Sequence, residues 1–280
     1  MNKAANQAWS LNIKGKVHEF PRPLVMSIIN INGDSFYSGS RVDENQLLKR
    51  IENQLDAGAD WIDIGAQSSR PGAEKMSLID EVSILKKATQ SIKKEFPKIV
   101  LSIDSYHAVV QEACLEEGSD IINDIGAEQE YEKMALLSKK FQAPYILMHM
   151  RGNPSNMQEK AEYKNVVQEV IYELADKAAF LKAHGVSDLI IDPGFGFAKN
   201  LEQNHLLLQN LSWFHQLSAP LLIGISRKSM LYKALNINPN EALAATNYAN
   251  GVALCKGAHI LRVHDTKDAA QIVELHHKFA

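Results

Sequence analysis

Residues 24–59 read LVMSIININGDSFYSGSRVDENQLLKRIENQLDAGA, and three kinds of chain follow one another in them. LVMSIIN is a continuous apolar run of strand length. DENQLLKRIENQLDAGA carries apolar residues at helical spacing and closes on Gly58, where a left-handed helix cap is expected. Between them Asn32-Gly33 is the strongest short signal for a hairpin turn. Yet Asp34-Ser35-Phe36-Tyr37-Ser38 beyond it does not read as a returning strand. The unit is strand, polar loop, helix.

The same unit recurs along the chain. WIDIGA, IVLSID, IIND, YILMHM, DLIIDPG, LLIGIS and HILRVHD are further short apolar runs with polar or glycine endings. Helix-period segments such as YKNVVQEVIYELADKAAFLKAHG separate them, and Gly118, Gly185 and Gly257 again mark helix ends. Alternating strands and helices give a parallel sheet with right-handed crossovers. Eight units in about 250 residues fit a closed (β/α)8 TIM barrel. The rival, an open doubly wound sheet for a dinucleotide, would want G-x-G-x-x-G after the first strand, and NINGDSF lacks it. Residues 1–23 form an N-terminal extension. Within it SLNIKGKVHEF, centred on Lys14-Gly15-Lys16, reads as a short hairpin closing the barrel bottom. No long Pro/Ser/Gly-rich linker divides the 280 residues, so one domain spanning 1–280 is expected.

Composition narrows the partners. The chain is 45% hydrophobic and 22% charged, with a formal net charge of -3. With a pI near 6.4, nucleic acid and anionic membrane are not expected as main partners. The N-terminal residues have no apolar core of a signal peptide, and no run of eighteen apolar residues occurs. Cys114 and Cys255 lie far apart and fit buried free thiols in a reducing compartment. A soluble cytoplasmic protein is expected.

In such a barrel chemistry gathers where strands end. Those ends carry Asn30, Asp104, Asn123, Asp192, Arg262 and His264, more polarity than a packed core needs. Each has a plainer explanation. Asp104 could be a helix N-cap, Asn123-Asp124 a turn pair, and Asp192-Pro193-Gly194 ordinary turn chemistry. His149 reads as a hydrogen-bonded core histidine, since no second ligand stands at metal spacing. In SRKSM, Arg227 and Lys228 open a helix whose positive N-terminus disfavours cations. Either both are solvated, or an acidic ligand or internal carboxylate holds them.

Taken together, NINGDSF, DIGAQSSRPGAE, LSIDSYHAVVQEA, IINDIGA, LMHMRGNPSNMQ, DPGFGFAKN, PLLIGISRKSM and ILRVHD resemble dihydropteroate synthase of the folate pathway, from about Leu24 to the C-terminus. The resemblance implies a barrel, usually a homodimer, that joins 6-hydroxymethyl-7,8-dihydropterin pyrophosphate to 4-aminobenzoate and releases pyrophosphate with Mg2+ present. It implies that Asp104, Asn123, Asp192 and Lys228 hydrogen-bond the pterin while Met148 packs on it. Arg262 would cover the pterin face and, with His264 and Asn30, hold the diphosphate; Asn30 would supply an oxygen to the metal. For 4-aminobenzoate it nominates Phe36, Ser69, Pro71, Phe197 and Ser229, with Lys228 shared, and Asp34 and Arg70 as catalytic residues that order the loops.

The resemblance makes Asn32-Gly33 part of a lid over the first strand rather than a hairpin turn. The family pattern is Asn-x-Thr-Pro-Asp-Ser-Phe, so the proline is lost here, which raises the ordering cost by about 0.5–1 kcal/mol. A second departure puts Gln67-Ser68-Ser69 where Glu-Ser-Thr is usual. Two rivals stay open: a methyltransferase acting from methyltetrahydrofolate to a corrinoid protein, which would not need SRKSM or RVHD, and a pterin-binding protein that no longer catalyses.

Overall fold

A computed structural model describes residues 8–31, 37–38, 41–67, 76–126, 128–153 and 156–279. Asp34, Phe36, Ser69, Arg70 and Pro71 therefore lie outside the described residues, as do Asn32 and Gly33. The chain opens with β1 (Trp9–Ile13) and β2 (Lys16–Phe20), then β3 (Leu24–Asn30), β4 (Tyr37–Ser38), β5 (Arg41–Val42) and α1 (Glu44–Asp56). It continues through β6 (Trp61–Gly65), α2 (Leu78–Glu95), β7 (Val100–Asp104), α3 (Ala108–Glu116), β8 (Ile121–Asp124), α4 (Tyr131–Phe141), β9 (Tyr145–Met148) and α5 (Val166–Ala183). The last part holds β10 (Leu189–Asp192), α6 (Leu201–Gln209), β11 (Leu222–Ile223), α7 (Ser229–Leu235), α8 (Leu243–Cys255), β12 (Ile260–Val263) and α9 (Thr266–Phe279).

Eight strands join in the order β10-β9-β8-β7-β6-β3-β12-β11. A parallel bridge between Ile191 and Leu221 brings the two outer strands together and closes the ring. Taken around that ring, spatial order equals chain order, as the (β/α)8 barrel requires and an open doubly wound sheet does not. The strands read as unbroken apolar runs because they are covered on both faces. Ile29, Ile62, Ile64 and Leu101 pack outward against Leu47, Ile51, Leu85 and Ile92 of α1 and α2. Helix starts follow the side chains that can cap them: Asp43, Ser77, Asn165 and Asn200 each accept a first-turn backbone N–H. The predicted helix-end glycines Gly58, Gly118, Gly185 and Gly257 all have φ between +90° and +101°.

The β1–β2 hairpin closes the barrel bottom as expected. Leu11 and Ile13 pack on Leu24, Met26, Trp61, Ile121, Ile190 and Ile260, residues at or near the N-terminal ends of the strands.

Several expectations need correction. A short antiparallel hairpin does follow the first barrel strand: Tyr37 pairs with Val42 and Ser38 with Arg41. The residues between its two strands, like Asn32-Gly33, lie outside the described residues. The seventh barrel strand is two residues long rather than the six of LLIGIS, because the backbone leaves the ladder after Ile223 on its way to the Ser226–Lys228 turn. Cys114 is buried, but Cys255 is exposed, on the side of α8 opposite its buried residues Ala249, Asn250, Ala253 and Leu254.

Leu11→Ala should destabilise the protein by about 2–5 kcal/mol, since it empties a site in the barrel floor. Urea unfolding reads the loss, and a pterin affinity within twofold of wild type is expected because the floor is remote from the strand ends.

Candidate active site

Register brings the strand-end residues together. Asn30 pairs with Gly65, Gly65 with Asp104, and Asp104 with Asn123, so four neighbouring strands end at one level. Gly65 makes room there: a Cβ on it would stand 3.2 Å from the Asp104 Cβ. Arg262 starts deeper, level with Met26 on β3, and its long side chain climbs toward the mouth.

What it meets was not foreseen. Asp63, in the middle of WIDIG, is fully buried and accepts from Arg262 Nε at 2.8 Å. Arg262 Nη2 lies 2.6 Å from the same Asp63 oxygen and also donates to Asp104. Asn123 Nδ2 donates to both Asp63 oxygens, at 3.1 and 3.3 Å. A carboxylate only accepts, so it takes the amide N–H2 and leaves Asn123 Oδ1 as the acceptor, with no hydrogen bond of its own among the described residues. The available signal was an acid two residues before the strand end, on an inward position, which must find a cation when buried.

The second half of the mouth comes from β10, β11 and the turn into α7. Asp192 is buried and accepts from Gly194 N–H at 2.7 Å. This turn bond engages one carboxylate oxygen. The other lies beside Gly224, 4.0 Å from where a Cβ would be. Lys228 donates to the Phe195 carbonyl and its ammonium lies 4.6 Å from the centre of the Phe197 ring. Phe197 also packs in a cluster with Met148, Met150, Met157 and Ala198.

Electrostatics follow from burial in shared company. Burial lifts the Asp104 carboxyl to about 7 against the pull of Arg262, with Asp63 and Glu81 adding to the rise. Burial likewise raises Asp192, opposed by Lys228 and the Gly194 N–H. Lys228 falls to about 8 because burial outweighs the attraction of Asp192. For Arg262, burial opposes the charge but Asp63 and Asp104 together hold it above its ordinary value.

The plainer explanations now separate. Asp104 caps no helix: His107 occupies the α3 N-cap position and Glu130 accepts the Ala108 N–H at 2.6 Å. Asn123 belongs to the mouth, whereas Asp124 is the turn residue, accepting from Gly126 N–H at 2.9 Å. His149 is the buried, hydrogen-bonded histidine expected. The SRKSM cations part company. Arg227 turns to an internal carboxylate, Asp265, with bonds of 2.8 and 2.9 Å, while Lys228 joins the mouth. Ser229 opens α7 beside it. His264 is exposed one residue beyond β12, its N–H donating to Ser226 Oγ, and Asn30 is exposed at the end of β3.

Among the described residues, no group of three His, Cys, Asp or Glu side chains could hold a metal ion, and no helix is long and apolar enough to cross a membrane.

A family model described as pterin binding enzyme matches residues 26–264. The dihydropteroate synthase of Escherichia coli (strain K12) is 35% identical over 94% of this chain and 93% of its own length. The Yersinia pestis dihydropteroate synthase, solved as a sulfonamide drug complex, superposes with a TM-score of 0.88 at 34% identity over 97% of this chain and 99% of that one. The Thermus thermophilus enzyme, solved with 4-aminobenzoate, gives 0.86 at 27% identity over 97% and 100%. The chain belongs to the pterin-binding enzyme family and, within it, to the dihydropteroate synthases.

Proposed function

We propose that this mouth joins 6-hydroxymethyl-7,8-dihydropterin pyrophosphate to 4-aminobenzoate, giving 7,8-dihydropteroate and pyrophosphate. The observation that carries the assignment of roles is the convergence of Asp104, Asn123, Asp192, Lys228 and Arg262 on one buried mouth. An aminopyrimidinone edge offers N–H donors to the two carboxylates and acceptors to the ammonium. Met148 supplies an apolar surface for the ring, and Arg262 a planar cation.

In the reaction the methylene C–O bond breaks, and the electron pair leaves with pyrophosphate. Arg262 and His264 stabilise that charge at the rim. The carboxylates, chiefly Asp104, favour the delocalised pterin cation that remains. The arylamine nitrogen then donates its lone pair to the methylene carbon and releases a proton. Phe197, Ser229 and Lys228, with Phe36, Ser69, Arg70 and Pro71 from the first two loops, line the arylamine side. Asp34 and Arg70 order those loops. The same pocket is where a sulfonamide would compete.

The donor chemistry fits Mg2+ carried by the substrate. Magnesium keeps much of its water shell and takes phosphate oxygens, needing few protein ligands. Asn30 offers one amide oxygen at the mouth. When bound, the ion supplies charge neutralisation on the diphosphate. We also propose a cytoplasmic homodimer, associating through α8 and α9, where Tyr248 is 77% and Leu275 52% exposed.

The direct test is pyrophosphate release by purified protein with the pterin pyrophosphate and magnesium. Release that requires 4-aminobenzoate, with dihydropteroate formed, is expected. Pterin binding without turnover would instead favour the non-catalytic reading, with the altered first loop as the failed part.

Acid and base limits follow from the two shifted groups. Asp104 loses its charge as pH falls through about 7, and Lys228 loses its proton as pH rises through about 8. Affinity for phosphate-free 6-hydroxymethylpterin should therefore peak between these values. Asp104→Asn should remove the acid limb and Lys228→Met the alkaline one; calorimetric titration across pH 5.5 to 9.5, as roughly the range that brackets both groups, distinguishes this from a flat profile.

Gln67 gives a third prediction. Its Nε2 donates at 2.8 Å to Glu81, which is buried and also accepts from Ser105 Oγ at 2.7 Å. Gln67→Glu sets two carboxylates against each other, and they can coexist only by sharing a proton. Activity of the variant relative to wild type should fall about tenfold from pH 6 to 8. A constant ratio would show that Gln67 does not anchor the second loop.

A further inference from the structure

The segment between β10 and α6, residues 193–199, is bent by an unusual backbone. Gly194, Gly196 and Ala198 all have positive φ, at 71°, 83° and 48°. Ala198 has no glycine's freedom there, so surrounding contacts must hold it. Gly194 cannot carry a side chain: a Cβ would fall 1.9 Å from the His149 carbonyl oxygen.

The holding contacts come from behind the loop. Lys199 is buried, and its Nζ reaches His149 Nδ1 at 2.9 Å, the Gly194 carbonyl at 3.0 Å and the Phe197 carbonyl at 2.9 Å. These three acceptors, all within 3.0 Å, match the three N–H bonds of an ammonium, and the His149 carbonyl lies farther off at 3.5 Å. His149 Nδ1 can accept only if its proton is on Nε2, which faces Glu173 Oε2 at 2.9 Å. Arg151 fixes Glu173 from the other side, its Nε at 2.9 Å, and lies over the Tyr163 ring. The Tyr163 hydroxyl donates to the Ala198 carbonyl at 3.0 Å. Carbonyls at 194, 197 and 198 are thus gripped by one polar network.

The loop's opposite side faces the mouth. Its Phe195 carbonyl takes the Lys228 ammonium, and its Phe197 ring lies beside that ammonium. We propose that Lys199, held by His149, is a positioning residue: it sets the loop that aims Lys228 at the pterin. The proposal rests on the reading that Lys228 contacts the pterin.

A double-mutant cycle tests it, with equilibrium binding of 6-hydroxymethylpterin as the readout. Lys199→Met should weaken binding about tenfold when Lys228 is present and less than about twofold when Lys228 is already Met. Equal losses in both backgrounds, or no loss in either, would overturn the proposal. Should Lys199→Met lack a cooperative melt, Tyr163→Phe replaces it in the cycle. It removes one loop bond while keeping the ring under Arg151, and a loss of about threefold confined to the Lys228 background is expected. Lys228→Met binding pterin as tightly as wild type would refute the underlying reading. A weakened Lys228→Met with additive losses refutes only the role of Lys199.

Discussion

One guanidinium shared by two carboxylates organises this barrel. Arg262, Asp63 and Asp104 come from β12, β6 and β7, and Asn123 of β8 joins through Asp63. Burying a charge is tolerable only when it is paired, so none of these side chains can be repositioned alone. Removing one partner of such a pair typically costs about 3–5 kcal/mol, because the remaining charge stays buried. The strain of burial is also the source of function. The same enclosure that holds Arg262 charged lifts Asp104 toward neutrality and keeps the Asn123 amide turned one way.

The architecture was legible because it rests on local rules. Strand runs, helix periods and the helix-end glycines Gly58, Gly118, Gly185 and Gly257 recur along the chain, and a closed parallel barrel satisfies them all. The bottom hairpin was visible for the same reason: apolar residues alternate on either side of Lys14-Gly15. Strand lengths were less legible. LLIGIS has the composition of a six-residue strand, but pairing stops after Ile223, a tertiary matter that composition does not carry. Cys255 failed similarly, since being apolar does not say which side of α8 meets the core.

The site divides along a comparable line. Asp104, Asn123, Asp192, Lys228 and Arg262 could be nominated because each stands at or near a strand end, where polarity is otherwise unexplained. Asp63 escaped because it sits among apolar residues inside its strand, 199 positions from the arginine that pairs with it. Arg227 and Lys228 were rightly singled out together, but adjacency in sequence hid opposite destinations. With φ of 52°, Arg227 turns toward Asp265, and Lys228 is left to Phe195 and Asp192.

That division bears on how the mouth can serve a substrate whose two halves differ in charge. Asp63, Asp104 and Asp192 face Arg262 and Lys228, three acids against two bases. With all five ionised the mouth carries one net negative charge, and with Asp104 protonated it carries none. Because Asp104 titrates at about 7, both states are accessible near neutrality. Asp104, in the ionised form that binds the neutral pterin, attracts it more strongly once pyrophosphate leaves and the pterin is cationic. Had Arg227 also turned inward, a third cation would have cancelled that response. Its capture by Asp265 therefore belongs to the electrostatics of the proposed reaction as much as to the joining of the turns that precede α7 and α9.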